Sequence, residues 1–371
     1  MRVGIILHGP EIIDEGSAER IIRIFKMRHE VIARLGGTMG RTAVLDSGLE
    51  NVIDISQGLT PSETIIALGD SIGLAILLNN GKTLETGRYF GRIVASKLES
   101  HSRPPFVHIE SPDNSGRIIY YWPETRRCAV YVKKILAKHY KDYDLPIERG
   151  IPLPPHVRIE GDLLIRRICG ASPGENIRLD GIVIGTVINP EPEIVCKDGR
   201  VVDVRGINIK HHGLEKLANR KIDLSNAKIK TGNIRRTLHK PLMKKAEGGI
   251  SSETVAIIDH CAESTFELVK DAGLVITVGD DTTAIAADIL VRFGIPVIGI
   301  TDGDIDNVLE NSAMPAGSVI IRVRAGFDDI VGKEVFEKIL GGKQKIHMPG
   351  NDILLRILTL AKENLIGAKY Y

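Results

Sequence analysis

The chain has 371 residues, 43% of them apolar, 26% charged and 4% aromatic, with a formal net charge of +2. That length suggests two or three domains, and the composition excludes a disordered or membrane-embedded chain. The near-neutral charge gives no global field of the kind that holds nucleic acid.

The four cysteines, Cys128, Cys169, Cys196 and Cys261, are widely spaced and form no CxxC pair. The spacing argues against a structural zinc site or a disulfide framework and for a reducing cytoplasm. No apolar run approaches the roughly 18–20 residues of a membrane span. Met1-Arg2 leads straight into a strand-like run, so no signal peptide is expected. Gln occurs only twice, at Gln57 and Gln344, while Ile, Lys, Arg and Glu abound, a bias that fits a thermophilic source.

The first segment, 1–150, reads as an α/β domain. Val3 to Leu7 is a buried parallel strand by its unbroken apolarity, and Gly16 to Arg28 has helical spacing with Ala18, Ile21, Ile22 and Phe25 on one face. Further strands are expected over Val52 to Ile55, Leu74 to Leu78 and Phe106 to Ile109, with a helix over Leu84 to Leu98.

His8-Gly9-Pro10-Glu11 falls at the carboxyl end of the first strand, the ligand edge of an open α/β sheet. His8 is therefore a candidate acid–base or ligand-contacting group, or else a structural hydrogen-bonding one. Gly81-Lys82-Thr83 ends like a phosphate-binding Walker A loop. The first glycine of that motif would fall at Ile76, inside the strand, so only one anionic group could be held by Gly81, Lys82 and Thr83.

The second segment, 151–212, opens on Pro152, Pro154 and Pro155. Short β-like runs follow at Val157 to Ile159, Leu163 to Ile168, Asn176 to Leu179, Ile182 to Ile188, Glu193 to Cys196 and Val201 to Arg205. Their spacing predicts a small antiparallel barrel or sandwich, with Asp198-Gly199 as a hairpin turn. Between Lys210 and Lys245 stand eleven Lys or Arg residues and two acidic ones. This stretch, centred on Arg235 and Arg236, is a candidate surface for phosphate, nucleotide or nucleic acid. The absence of aromatic residues there weakens a base-stacking role.

The third segment, 213–371, returns to α/β. A helix is expected over Ser251 to Lys270, strands over Leu274 to Val278 and Ile295 to Ile300, a helix over Thr283 to Phe293 between them, a strand over Val319 to Val323 and a last helix over Asp352 to Asn364. A right-handed crossover makes the two strands parallel and puts Asp280-Asp281 and Asp302, Asp304 and Asp306 at one edge. Converging carboxylates repel unless a cation neutralises them, and Mg²⁺ or Mn²⁺ held together with a phosphate suits such a site. Gly279, Thr282 and Thr283 would then meet the phosphate at a helix start. Stretch 302–306 begins like a calcium loop, but Ala313 stands where its bidentate Glu is required, so that reading is rejected.

The run from Gly279 to Thr282, with Pro296 to Ile300 and Asp306-Asn307, resembles phosphofructokinase-type phosphate sites in a degraded form. The aspartates after an apolar strand resemble the toprim pattern, with Asp280-Asp281 where that pattern has Glu. Taken with Leu7 to Glu11, Asn80 to Glu85, and Gly279 to Thr283 through Asp302-Gly303-Asp304, most of the chain resembles an uncharacterised archaeal family found chiefly in methanogens. That resemblance implies an archaeal, cytoplasmic protein and supplies no activity.

The residues alone therefore suggest two α/β domains of Rossmann-like type flanking a small β domain. The function expected is binding of a phosphorylated small molecule or nucleotide with a divalent metal, with phosphoryl transfer or hydrolysis by Asp302, Asp304 or His8. The alternative is a non-catalytic nucleotide- or nucleic-acid-binding module. Oligomeric state is left open.

Overall fold

Val3, Ile5, Ile6 and Leu7 are fully buried, as a parallel strand covered on both faces by helices must be. They form the centre of β1 (Arg2–His8). The computed structural model describes residues 1–38, 40–99, 103–139, 144–154, 156–218, 220–231, 252–259, 262, 265–269, 271–303 and 313–371. Two compact units divide the chain, Met1–Leu242 and Met243–Tyr371.

In the first unit β1 is joined by β2 (Glu30–Leu35), β3 (Leu74–Asn79), β4 (Phe106–Glu110), β5 (Arg117–Tyr120) and β6 (Ile147–Arg149). The sheet order is β2-β1-β3-β4-β5-β6, and β2, β1, β3 and β4 are mutually parallel. The helices are α1 (Glu11–Asp14), α2 (Ser17–Lys26), α3 (Arg41–Asp46), α4 (Pro61–Leu68), α5 (Leu84–Leu98) and α6 (Arg126–His139). Residues of α1, α2, α3 and α6 pack with Ile5, Leu7, Ile76 and Val107 on one face. Those of α4 and α5 pack with Ile6, Ala75, Leu77 and Phe106 on the other. Strand β1 sends its chain to β2 on one side and has β3 on the other. The strand order therefore reverses between β1 and β3, which opens a crevice at their carboxyl ends. Val52 to Ile55 forms no strand, and Asp54 makes only an isolated bridge to Arg34.

The all-β part has two four-stranded antiparallel sheets. One is β12-β11-β8-β7, from β7 (Val157–Glu160), β8 (Leu163–Arg167), β11 (Glu193–Lys197) and β12 (Arg200–Arg205). The other is β13-β10-β9-β14, from β9 (Asn176–Leu179), β10 (Ile182–Val187), β13 (Ile207–Ile209) and β14 (Ile229–Thr231). Asp198 and Gly199 both take positive φ (51° and 77°) at the β11–β12 turn, which Asp-Gly tolerates. The short helix α7 (His211–Leu217) and Ile222, Leu224 and Ala227 join the same core, so this part runs on to Thr231, past residue 212.

The second unit is built on β15 (Thr254–Asp259), β16 (Leu274–Val278), β17 (Val297–Thr301), β18 (Val319–Val323), β19 (Lys345–His347) and β20 (Leu365–Tyr370). Strands β15 to β18 are parallel and consecutive, while β19 and β20 close the two edges antiparallel. Helices α8 (Thr265–Leu268) and α9 (Asp280–Leu290) lie on one face, and α10 (Asp328–Glu334) and α11 (Gly350–Ala361) on the other. The helix expected over Ser251 to Lys270 is instead β15 followed by α8. Val255 to Ile258 are buried on both faces, and such a run carries no periodicity to separate strand from helix. Among the described residues no helix is long and apolar enough to cross a membrane.

Candidate functional site

Three parallel strands of the first sheet each end on a polar residue. His8 ends β1, Asn79 ends β3 and Glu110 ends β4, and in register His8 pairs with Asn79 and Asn79 with Glu110. The side chains join in the same order. His8 Nδ1 lies 2.7 Å from Asn79 Oδ1, and Asn79 Nδ2 donates to Glu110 Oε2 at 2.7 Å. His108 Nε2 reaches the same Oε2 at 3.0 Å, and His108 Nδ1 lies 3.1 Å from the Tyr121 hydroxyl.

The other carboxylate oxygen, Oε1, accepts from the Gly81 amide at 2.7 Å and lies 2.8 Å from Ser111 Oγ. The single Ser111 proton is shared between it and Asn80 Oδ1, also at 2.8 Å. Glu110 and His108 are both 0% exposed. A carboxylate out of contact with water is tolerable only when its lone pairs are met, and this one has donors on both oxygens.

Helix α5 makes room for the network. A Cβ at Gly87 would lie 2.0 Å from the Glu110 carboxyl, and one at Gly91 2.2 Å from His108 Nδ1 and 2.3 Å from the Tyr121 hydroxyl. Burial raises the Tyr121 phenol well above its ordinary range, so it remains a proton donor.

His8 itself is part-exposed at the crevice. Its ring stacks on Phe90 with centroids 3.8 Å apart. Desolvation holds its imidazole below the ordinary range; the Asn79 hydrogen bond and the Glu110 charge pull the other way, and Lys230 of β14 adds to the lowering. Lys230 Nζ also lies 3.4 Å from Thr38 Oγ1, which brings a cation to the loop after β2. That loop crosses β1 tightly: a Cβ at Gly40 would meet the Gly9 carbonyl at 2.8 Å, and one at Gly36 would meet Pro61 at 2.7 Å. The arrangement offers a neutral imidazole and an ammonium group at the switch point of a doubly wound sheet, an environment suited to an anionic ligand and to proton transfer.

The Walker-like residues are occupied elsewhere. The Gly81 amide is bound to Glu110, and Thr83 caps α5 in a reciprocal box with Thr86. Lys82 Nζ pairs with Glu175 and donates to the Gly170 carbonyl at 2.7 Å, tying β3 to the all-β part.

At the edge of the second sheet, Asp280 and Asp281 follow β16 and Asp302 follows β17, an adjacent parallel strand. All three are part-exposed. Helix α9 starts at Asp280, after Gly279 in a left-handed-side conformation (φ 93°), and no side chain caps it. Thr283 is fully buried, and its hydroxyl bonds the Gly279 carbonyl (2.7 Å) and Thr277 Oγ1 (2.8 Å), inside the fold. Thr282 is also buried. Asp302 Oδ2 accepts from the Gly326 amide at 2.7 Å. Among the described residues no group of three or more His, Cys, Asp or Glu side chains is disposed to hold a metal ion. Asp304, Asp306, Arg235 and Arg236 lie outside the described residues.

The sequence reading selected His8 but not Asn79, Glu110, His108 or Tyr121. The available signal was a polar residue closing each of three apolar runs.

A family model described as an uncharacterized protein conserved in archaea (DUF2117) matches residues 5–343. An uncharacterized protein of Methanocaldococcus jannaschii, MJ0065, is 40% identical over 347 residues, covering 93% of each chain.

Proposed function

The chain belongs to this family of archaeal proteins, and from that premise we propose that its first unit binds an anionic small molecule, of the phosphorylated-metabolite or nucleotide class, at the β1–β3 crevice. The observation that carries this reading is the place of His8. It ends β1 where the strand order reverses, part-exposed, with a buried carboxylate behind it linked through Asn79. Lys230 supports the anionic character of the ligand. If a reaction takes place there, His8 is the group that accepts or returns the proton, and its lowered basicity keeps it neutral and available as a base near pH 7.

A second reading has its own observation. Asp280, Asp281 and Asp302 stand at the ends of two neighbouring parallel strands, and the first turn of α10 adds Asp328 two residues after Gly326, which binds Asp302. A divalent metal, Mg²⁺ or Mn²⁺, held by one or two of these carboxylates together with a phosphate and water would suit that edge.

A thermal-shift titration with nucleotides and sugar phosphates, with and without Mg²⁺ or Mn²⁺, separates the two. Ligand at a hundred times its Kd adds about 2.7 kcal/mol to the native state. The first reading expects a shift that survives EDTA and Asp302→Asn but is lost in His8→Gln. A shift that needs metal and is lost in Asp302→Asn, with His8→Gln unaffected, replaces it with the second. No shift with any compound removes both.

A further inference from the structure

We infer that Asn79 and Glu110 are positioning residues that fix the proton of His8 on Nδ1, so that the ring presents a bare Nε2 and selects ligands bringing a hydroxyl or another proton-bearing group to it. This rests on the reading of the β1–β3 crevice as the ligand site.

The deduction starts from an atom that cannot turn over. The Gly81 N–H is backbone, and it donates to Glu110 Oε1. Gly81 is itself pinned, since a Cβ there would lie 2.5 Å from the Gly87 nitrogen. A carboxylate only accepts, so the group facing Oε2 from Asn79 must be its NH₂, at 2.7 Å. The Asn79 carbonyl oxygen then faces His8, and an oxygen there requires a donor, so Nδ1 carries the hydrogen. His108 is fixed by the same logic in the opposite sense. It gives Nε2–H to Oε2 and takes the Tyr121 hydroxyl proton on Nδ1. Every direction in the chain from Tyr121 to His8 thus follows from one buried carboxylate with donors on both oxygens. A histidine with one ring nitrogen facing a fixed acceptor takes its tautomer this way.

The substitution Glu110→Gln makes the inference sharp. The new side chain keeps the shape but owns one acceptor and one donor. Because the Gly81 N–H cannot turn, the amide oxygen must stay toward it, and the NH₂ must face Asn79 and His108. Asn79 then flips to offer its oxygen to Gln, its NH₂ faces His8, and His8 takes up the Nε2–H form.

Full-length protein labelled with [¹⁵N]histidine, without ligand, reads this directly, because protonated and bare ring nitrogens differ in ¹⁵N shift and in coupling to the ring protons. The His8 signals are identified by their loss in His8→Gln. The expected result is Nδ1–H with bare Nε2 in wild type at neutral pH and an inverted tautomer in Glu110→Gln. Asn79→Leu, which keeps the branched heavy-atom outline and removes the amide, should release the ring to the Nε2–H form that neutral imidazole prefers in water. Wild-type His8 found as Nε2–H, or doubly protonated at neutral pH, overturns the inference, as does a folded Glu110→Gln whose tautomer is unchanged. Should Glu110→Gln not fold, wild type and Asn79→Leu decide. The ligand titration is independent of this spectrum. Binding that needs His8 without an Nδ1–H ring sinks this inference alone, and an Nδ1–H ring with no ligand sinks the site reading and the ligand selection while the tautomer assignment stands.

Discussion

Glu110 is buried among donors that exist to meet it. Replacing it with Leu would keep apolar volume and strand register but leave the Gly81 amide, Asn79 Nδ2 and His108 Nε2 without their acceptor. Each buried unsatisfied donor costs about 1–3 kcal/mol, so Glu110→Leu is expected to lose about 3–9 kcal/mol in chemical denaturation. A loss under about 1 kcal/mol would mean the network is solvated. His8 carries a pH prediction whose sign follows from its environment. Desolvation lowers its pKa below the 6.5 of an exposed ring. As pH falls through that value the unfolded chain takes a proton that the folded chain declines, so stability is full above it and declines below. Urea midpoints at about pH 7.5 and about pH 5.5 should therefore differ more in wild type than in His8→Gln. His8 was legible in the sequence as a polar residue closing an apolar run. Its partners were not, because Asn79 and Glu110 stand 71 and 102 positions away and only strand order brings them beside it.

Helices and strands show the same division between local and non-local information. Leu84 to Leu98 was readable as a helix to the residue, with Thr83 and Thr86 closing its reciprocal cap. The reason for its glycines was not readable. Gly87, Gly91 and Ala95 recur every fourth residue and are buried together with Val94 and Leu98, so small residues share the face that lies against the sheet with apolar ones. Gly87→Ala places a methyl where the Glu110 carboxyl already sits, and that carboxyl is held by several donors rather than free to swing away. Overpacking of this kind costs about 1–3 kcal/mol, and the expected loss is at the upper end, measured by urea unfolding. Helix α4 tests the opposite case, an exposed cap. Thr60 and Glu63 form a complete capping box, so Thr60→Ala should cost about 1 kcal/mol without touching His8. The segment from Ser251 to Lys270 misled for a physical reason: a strand buried on both faces loses the alternation that would mark it, and only its neighbours β16 and β19 define it.

The parallel centres of the two mixed sheets were both readable from their apolar runs, and His8 in one and Asp280, Asp281 and Asp302 in the other stand at their carboxyl edges. What the sequence could not rank was the two edges, since Asp280, Asp281 and Asp302 looked richer in chemistry than one histidine. Topology ranks them differently. The first sheet reverses its strand order beside His8, whereas β15 to β18 run consecutively, with no reversal between β16 and β17. Each unit also has apolar clusters of its own, built around Ile5, Leu7 and Leu78 in one and around Ile276, Ile300 and Ile321 in the other. Separate cores of this size favour separate cooperative transitions. Calorimetry on the full chain should then resolve two of them, and paired variants assign them. Gly87→Ala should lower one. Gly332→Ala, whose Cβ would come within 2.6 Å of Val278 on β16, should lower the other by a similar amount. A ligand of the β1–β3 crevice should raise only the transition that Gly87→Ala lowers, because binding stabilises the unit that forms the site. A ligand that raises the Gly332-sensitive transition instead would place binding in the second unit, at the aspartate edge, and a single transition shifted by both variants would show that the two units unfold as one.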